Sequence, residues 1–133
     1  MIRDVLIPRI KSEFDRTDIA YGTPPDPIAV FPAAQEAVGK VLIYDHGDEA
    51  TVYIEKITHT HINPYDASLS GAEREKWIAD QVVEFLRALF ADKILLHIHN
   101  NGRSGGWMSI AGGAPVDLSA HEKYFLWSKP FRL

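Results

Sequence analysis

Hydrophobic residues recur at spacings of three and four near the start of the chain, which is the spacing of one face of an α-helix. This stretch predicts a helix that reaches about Asp15. Because Pro8 lies within the stretch, the helix either starts near Ile7 or is kinked at the proline. The hydrophobic face consists of Ile2, Val5, Leu6, Ile10 and Phe14.

A second helix is predicted after residue 70. Ser70 and Glu73 have the spacing of a capping box, in which each side chain bonds to the other residue's backbone amide at a helix start. The residues that follow repeat the helical spacing and leave charged side chains on the opposite face. The hydrophobic face of this helix consists of Ile78, Val82, Phe85, Leu86 and Leu89.

Between the two helices, β-branched and aromatic residues dominate. Residues 28–31 predict a short strand that ends before Pro32. Residues 41–46 and 51–62 predict a long β-hairpin, because Val, Ile, Tyr and Thr pack well on a pleated surface. The sequence His46-Gly47-Asp48 supplies residues typical of a turn between these two runs.

The last third of the chain predicts another hairpin. Residues 94–99 and 107–111 are strand-like, and a glycine-rich segment separates them. Ser119 and Glu122 repeat the capping-box spacing, which predicts a short helix to about Trp127. Residues 124–127 would also suit a strand, so this final element has two interpretations.

The order of elements is therefore α-β-β-β-α-β-β, followed in one interpretation by a short C-terminal helix. It predicts a single α+β domain over residues 1–133, with an antiparallel sheet of about five strands and two main helices packed on one face. The order resembles that of the small secretion-chaperone fold. Fold alone does not assign function, and no sequence motif accompanies the resemblance.

The first strand of the central hairpin is apolar on both faces. Val41 and Ile43 lie on one face, and Leu42 and Tyr44 lie on the other. Two helices on one side of the sheet cover only one of these faces. The second face must then be covered by the C-terminal segment or by another subunit. We expect a homodimer that forms through the sheet or through the C-terminal segment.

Composition narrows the classes of partner. The chain has 133 residues, a net charge of −4 and no cysteine, so disulfides and thiolate metal sites are excluded. Basic residues are scattered, which argues against nucleic acid and anionic membranes as partners. Because no signal-like stretch or membrane-length apolar run occurs, we expect a cytoplasmic protein without a membrane partner.

Two His-x-His pairs are the candidate chemistry. Side chains two residues apart on a strand share a face, so each pair projects to one side of its strand. If the strands are neighbours, four imidazoles could converge on zinc or another divalent transition metal. The predicted ligands are His59, His61, His97 and His99, and the carboxylates available to join them are Asp45, Asp48, Glu49 and Asp66.

The sequence contains no specific catalytic motif and predicts no catalytic residues and no cofactor beyond this metal. The leading hypothesis is a small non-catalytic module that binds other proteins, in an immunity-like or chaperone-like role. The alternative is a histidine-ligated metalloprotein with hydrolytic or oxidative activity.

Overall fold

Two antiparallel sheets and two helices make up the described part of the chain, which covers residues 1–66, 68–113 and 117–131 of a computed structural model. The helices are α1 (Ile2–Glu13) and α2 (Gly71–Phe90). The strands are β1 (Ala20–Tyr21), β2 (Ala29–Phe31), β3 (Val41–Asp45), β4 (Ala50–Ile54), β5 (Thr58–Ile62), β6 (Ile94–His99), β7 (Gly105–Ser109) and β8 (Glu122–Phe125).

The predicted α+β class, the two helices and the five-stranded antiparallel sheet are confirmed. The first sheet has the order β1-β2-β3-β4-β5, and β6 forms the centre of a second sheet in the order β7-β6-β8. The first sheet is a meander, in which each strand pairs with the next strand along the chain. Neither helix is long and apolar enough to cross a membrane.

The core lies between the helices and one face of the first sheet. Val41, Ile43, Val52 and Ile54 face inward and are buried together with residues of both helices. The rings of Phe31 and Phe90 lie 5.0 Å apart within the same core. We call this buried side of the first sheet the inner face and the opposite side the outer face.

The structure differs from the predicted long hairpin in one respect. The second predicted run forms two strands, β4 and β5, instead of one. The chain reverses at residues 55–57, where the amide of Glu55 donates to the carbonyl of Lys40 (2.9 Å) and that of Lys56 to Val38 (3.1 Å). Ile57 is buried in the core. No glycine or proline marks this turn, so tertiary contacts decide it against local β propensity.

The prediction of a short C-terminal helix is wrong, because residues 122–125 form strand β8, which pairs with β6. The amide of His121 donates to Ser119 Oγ (3.1 Å), and the amide of Ser119 donates to the Tyr124 hydroxyl (2.7 Å). These bonds make a turn that leads into a strand. Tyr124 and Phe125 then pair with His97 and Leu96 at the edge of β6, which satisfies their backbone groups.

The two predicted helices also start differently from expectation. α1 begins at Ile2 and continues through Pro8. Ser70 is the N-cap residue of α2, but its side chain makes no capping hydrogen bond, so the predicted reciprocal capping box does not form. The hydrophobic face of α2 nevertheless packs as predicted.

Candidate functional site

The outer face of the first sheet carries an unbroken series of aromatic rings. Ring centroids lie 6.0 Å apart between His46 and Tyr44, and 5.5 Å apart between Tyr44 and Tyr53. The series continues across β4 to β5, with 5.3 Å between Tyr53 and His59 and 5.0 Å between His59 and His61. These five rings, together with Thr51, form what we call the outer-face cluster.

Strand register brings these residues together. Leu42 pairs with Tyr53 across β3 and β4, while Tyr53 pairs with His59 and Thr51 with His61 across β4 and β5. Paired residues point to the same side of a sheet, so these positions all lie on the outer face. The cluster therefore depends on the turn at residues 55–57, which aligns β5 with β4.

Thr51 closes the series of rings through its hydroxyl group. Thr51 Oγ1 lies 2.9 Å from His46 Nδ1 and 3.1 Å from His61 Nδ1. It is completely buried although it lies on the outer face. A hydroxyl has one hydrogen to donate, so at least one of these two ring nitrogens must itself donate if both contacts are hydrogen bonds.

The carboxylate of Glu49 lies beside His61 and favours one position for the ring hydrogen. Its Oε1 lies 3.3 Å from His61 Nδ1, and an ionised carboxylate only accepts hydrogen bonds. This contact favours a hydrogen on Nδ1 of His61, which then donates to the Thr51 hydroxyl, while that hydroxyl donates to His46 Nδ1. In the neutral ring this leaves Nε2 of His61 as a free lone pair, suited to bind a cation or accept a proton.

Next to the rings is an open depression of about 390 Å³. It is lined by Leu42, Tyr44, His46, Tyr53 and Glu55. Leu42, Tyr44 and Tyr53 are half-buried, whereas the inner-face residues of the same strands are fully buried. A surface of this kind offers apolar area, ring faces and a carboxylate at its rim to a bound molecule.

The other predicted pair lies on the second sheet. His97 Nδ1 is 3.7 Å from Glu122 Oε2, a buried oxygen without a hydrogen-bond partner. His99 Nδ1 accepts a hydrogen bond from the amide of Asn101 (3.1 Å). The ring of His99 also stacks on that of His121, with centroids 6.4 Å apart. Each pair is thus next to other rings, but the two pairs belong to different sheets.

No three His, Asp or Glu residues within 1–66, 68–113 and 117–131 are grouped so that they could hold a metal ion. Metal binding by His59, His61, His97 and His99 stays a prediction.

The candidate carboxylates take separate roles. Asp45 Oδ1 accepts from the amide of Gly47 (2.8 Å), and Asp66 Oδ1 accepts from the amide of Ser68 (2.9 Å). The bonds from Ser68 lower the pKa of Asp66. Asp48 is exposed in the turn that precedes β4. Of the four candidates, Glu49 is the one placed against a predicted histidine ligand.

No family model, curated protein or solved structure matches the chain. Functional inference therefore depends on the geometry of the chain itself.

Sequence reasoning did not identify His46 and Thr51 as parts of a site. Their spacing along the chain is not a motif, and they meet only through strand register. Thr51 and Tyr53 are two residues apart in a predicted strand, which indicates that they share a face. Which histidines lie opposite them depends on the turn at residues 55–57.

A second depression of about 320 Å³ lies between β5, β7 and α2. Its lining includes Trp77, Phe85 and Trp107, and the rings of Phe85 and Trp107 are 5.0 Å apart. Tyr65 at its rim is 95% exposed. This cleft is separate from the depression on the outer face, although His61 borders it.

Proposed function

We propose that this protein is a non-catalytic interaction module that binds through the outer face of its first sheet. We propose that the partner is a second copy of the same chain. An immunity-like or chaperone-like role belongs to this class of function. The half-exposed apolar and aromatic surface formed by Leu42, Tyr44 and Tyr53 is the observation that carries the proposal.

The chemistry of the outer face supports protein binding. Aromatic side chains are enriched at protein interfaces, because they offer a large contact area with few rotatable bonds. Tyr44 and Tyr53 pack edge to face at 5.5 Å, which restricts both rings before any partner binds. A restricted surface loses less side-chain entropy when it is covered.

The C-terminal segment was the other candidate cover for this face, and it packs elsewhere. Trp127 is buried beside Phe90, with ring centroids 5.3 Å apart. The Gln35 side-chain amide donates to the carbonyl of Leu126 (2.7 Å), which holds the segment on the core side. None of its described residues lines the outer-face depression. A partner molecule is therefore the proposed cover.

The size of the face predicts a weak dimer. Its strands comprise twenty residues. At about 16 Å² of flat area per strand residue they present about 320 Å². A standard interface buries about 800 Å² on each partner, so the flat area of this face is less than half of that value. We therefore expect a dimer that dissociates on dilution.

Sedimentation equilibrium over a range of concentrations tests the proposal. We expect the mass to approach that of a dimer at high concentration. Tyr53→Lys should shift the protein to monomer, because a charge that is solvated in the monomer would be desolvated in the dimer. Tyr65→Lys is the matched control, since the same change at an exposed ring outside the outer face should leave the dimer intact.

A monomer mass at every concentration would overturn the dimer. Equal dimerisation by the Tyr53→Lys variant, with an unchanged circular dichroism spectrum, would show that the interface is not the outer face.

A further inference from the structure

The two His-x-His pairs are equivalent in sequence, but the structure separates them. We infer that His59 and His61 together bind one divalent transition-metal cation such as Cu²⁺ or Zn²⁺, and that His97 and His99 do not. This inference goes beyond the proposed interaction function, because it needs only residues of a single chain. It assigns no reaction to the bound metal.

The centroid spacing of the first pair lies in the range needed for shared coordination, and the two ring planes are nearly perpendicular (79°). The rings of His59 and His61 have centroids 5.0 Å apart. With a metal–nitrogen distance of about 2.0–2.1 Å, a ring centroid lies about 3.2 Å from the metal, so two rings are about 4.5 Å apart at a right angle and about 5.2 Å apart at the tetrahedral angle. The observed separation lies between these two values.

The hydrogen bonding around His61 suits a metal ligand. A metal-bound histidine commonly donates its other ring N–H to a carboxylate, which fixes the ring and raises its basicity. His61 Nδ1 lies 3.3 Å from Glu49 Oε1 and 3.1 Å from Thr51 Oγ1. The nitrogen left to bind a metal is Nε2. The His61 side chain is 49% exposed in the single chain, so a cation can reach it from solvent in the monomer.

His99 is held in the opposite way. Its Nδ1 accepts the amide hydrogen of Asn101, so the neutral ring carries its own hydrogen on Nε2. Neither nitrogen then offers a free lone pair. The stacked ring of His121 does not make a metal site with His99 either. A centroid separation of 6.4 Å would require an almost linear arrangement of the two rings around a shared metal.

His97 is restricted by its surroundings. Its Cε1 and Nε2 atoms lie over Gly106, where an added Cβ would be 2.8 Å from each of them. Its side chain is 25% exposed, about half the exposed fraction of His61. The nitrogen that faces away from Glu122 is therefore close to the backbone of β7, which obstructs a bound cation and its water ligands.

Two imidazoles leave the remaining coordination positions to water. The site should therefore be weaker than a closed structural site with four protein ligands. Cu²⁺ should bind more tightly than Ni²⁺ or Zn²⁺, because affinity at nitrogen ligands follows that order across the first-row divalent metals.

The test is a Cu²⁺ titration of the full, tag-free chain, followed by calorimetry and by electron paramagnetic resonance. We expect one Cu²⁺ per chain, with hyperfine coupling to two imidazole nitrogens. His59→Ala and His61→Ala should each weaken binding by at least about tenfold, and Glu49→Gln by about 10–100-fold because the ring loses its orienting carboxylate. The double variant His97→Ala/His99→Ala is the matched control and should bind as the wild type does.

Nuclear magnetic resonance with Zn²⁺ identifies the ligand nitrogens directly and does not rely on a measured affinity. In ¹⁵N spectra of the imidazole rings, Zn²⁺ should shift Nε2 of His61 and leave the spectra of His97 and His99 unchanged. Sedimentation of the Cu²⁺-loaded protein tests the metal site independently of the proposed dimer. A monomer that binds one Cu²⁺ supports the metal site even if no dimer forms.

Three results would overturn the inference. The first is no Cu²⁺ binding above that of the His59→Ala/His61→Ala variant. The second is loss of binding in His97→Ala/His99→Ala. The third is half a Cu²⁺ per chain at a dimer mass, which would mean that each chain supplies only part of the site.

Discussion

At the scale of single residues, Gly105 shows how a glycine permits two sheets to meet. The Thr58 hydroxyl donates to the Gly105 carbonyl (3.3 Å) where β5 approaches β7. A Cβ added at Gly105 would lie well inside contact distance of the carbonyl oxygen of Ile57. Because that obstacle is backbone, it cannot be relieved by a change of rotamer.

Gly105→Ala should therefore lower the free energy of unfolding by about 1–3 kcal/mol, since β5 and β7 must move apart. Urea unfolding followed by circular dichroism measures this change. Gly112→Ala is the control, because no atom lies within 4 Å of a Cβ added there. Equal stability of the two variants would contradict close packing of the sheets at Gly105.

The histidines also differ at this scale. Each His-x-His pair has the same local sequence pattern, yet His61 lies beside a carboxylate while His99 receives a backbone amide. The partner of each ring nitrogen, rather than the spacing of the pair, decides which lone pairs are free.

At the scale of elements, charged side chains join the two helices. Arg9 of α1 binds Asp80 of α2, and Lys76 donates to the same carboxylate (2.9 Å). The Arg9 guanidinium, followed by the Lys76 ammonium, lowers the pKa of Asp80 below its ordinary value of 3.8. The Asp80 side chain is 35% exposed, so solvent screening keeps its contribution below about 1 kcal/mol.

A carboxylate with a lowered pKa in the folded state stabilises the protein above its unfolded-state pKa. The contribution is lost as the pH falls through the lower, folded-state pKa. Asp80→Asn should thus reduce the free energy of unfolding at pH 7 by less than about 1 kcal/mol. The difference from wild type should shrink as the pH falls below 3.8 and disappear once the pH is below the lower, folded-state pKa.

Urea unfolding at a series of pH values measures this effect. Asp15→Asn is a suitable control, because Asp15 is an exposed carboxylate just after the end of α1. A constant difference between wild type and Asp80→Asn across the whole pH range would contradict a role for the ionised carboxylate.

At the scale of the whole molecule, the C-terminal segment joins the second sheet to the core. β8 pairs with β6, and the next residues bring Trp127 into the core beside Phe90. Ser128 continues this attachment, since its amide donates to Asp92 Oδ1 (3.0 Å) after the end of α2. The segment thus contributes to the core and leaves the outer face of the first sheet open.

Trp127→Ala should lower the free energy of unfolding by about 3–5 kcal/mol, because it leaves a large cavity in a packed core. Trp107→Ala is the matched control. Trp107 is 38% exposed against 5% for Trp127, so its removal should cost clearly less. Thermal unfolding of both variants measures the difference, and equal losses would argue against burial of the C-terminal segment.

The sequence by itself determined the elements with strong periodicity. The helical face of α2, the β3–β4 turn at Gly47 and the hairpin of β6 and β7 all follow from local patterns. These patterns also determined the α+β class, because a helix and a sheet with one apolar face each must bury those faces against one another.

Tertiary structure decided the turn at residues 55–57, the strand β8 and the composition of the outer-face cluster. In each case local propensity permits more than one conformation, and hydrogen bonds to distant residues such as Lys40 and Val38 select one. The same holds for the histidines. Their spacing in the chain placed each pair on one face of a strand, but strand order and the partners of each nitrogen come from contacts between residues far apart in sequence.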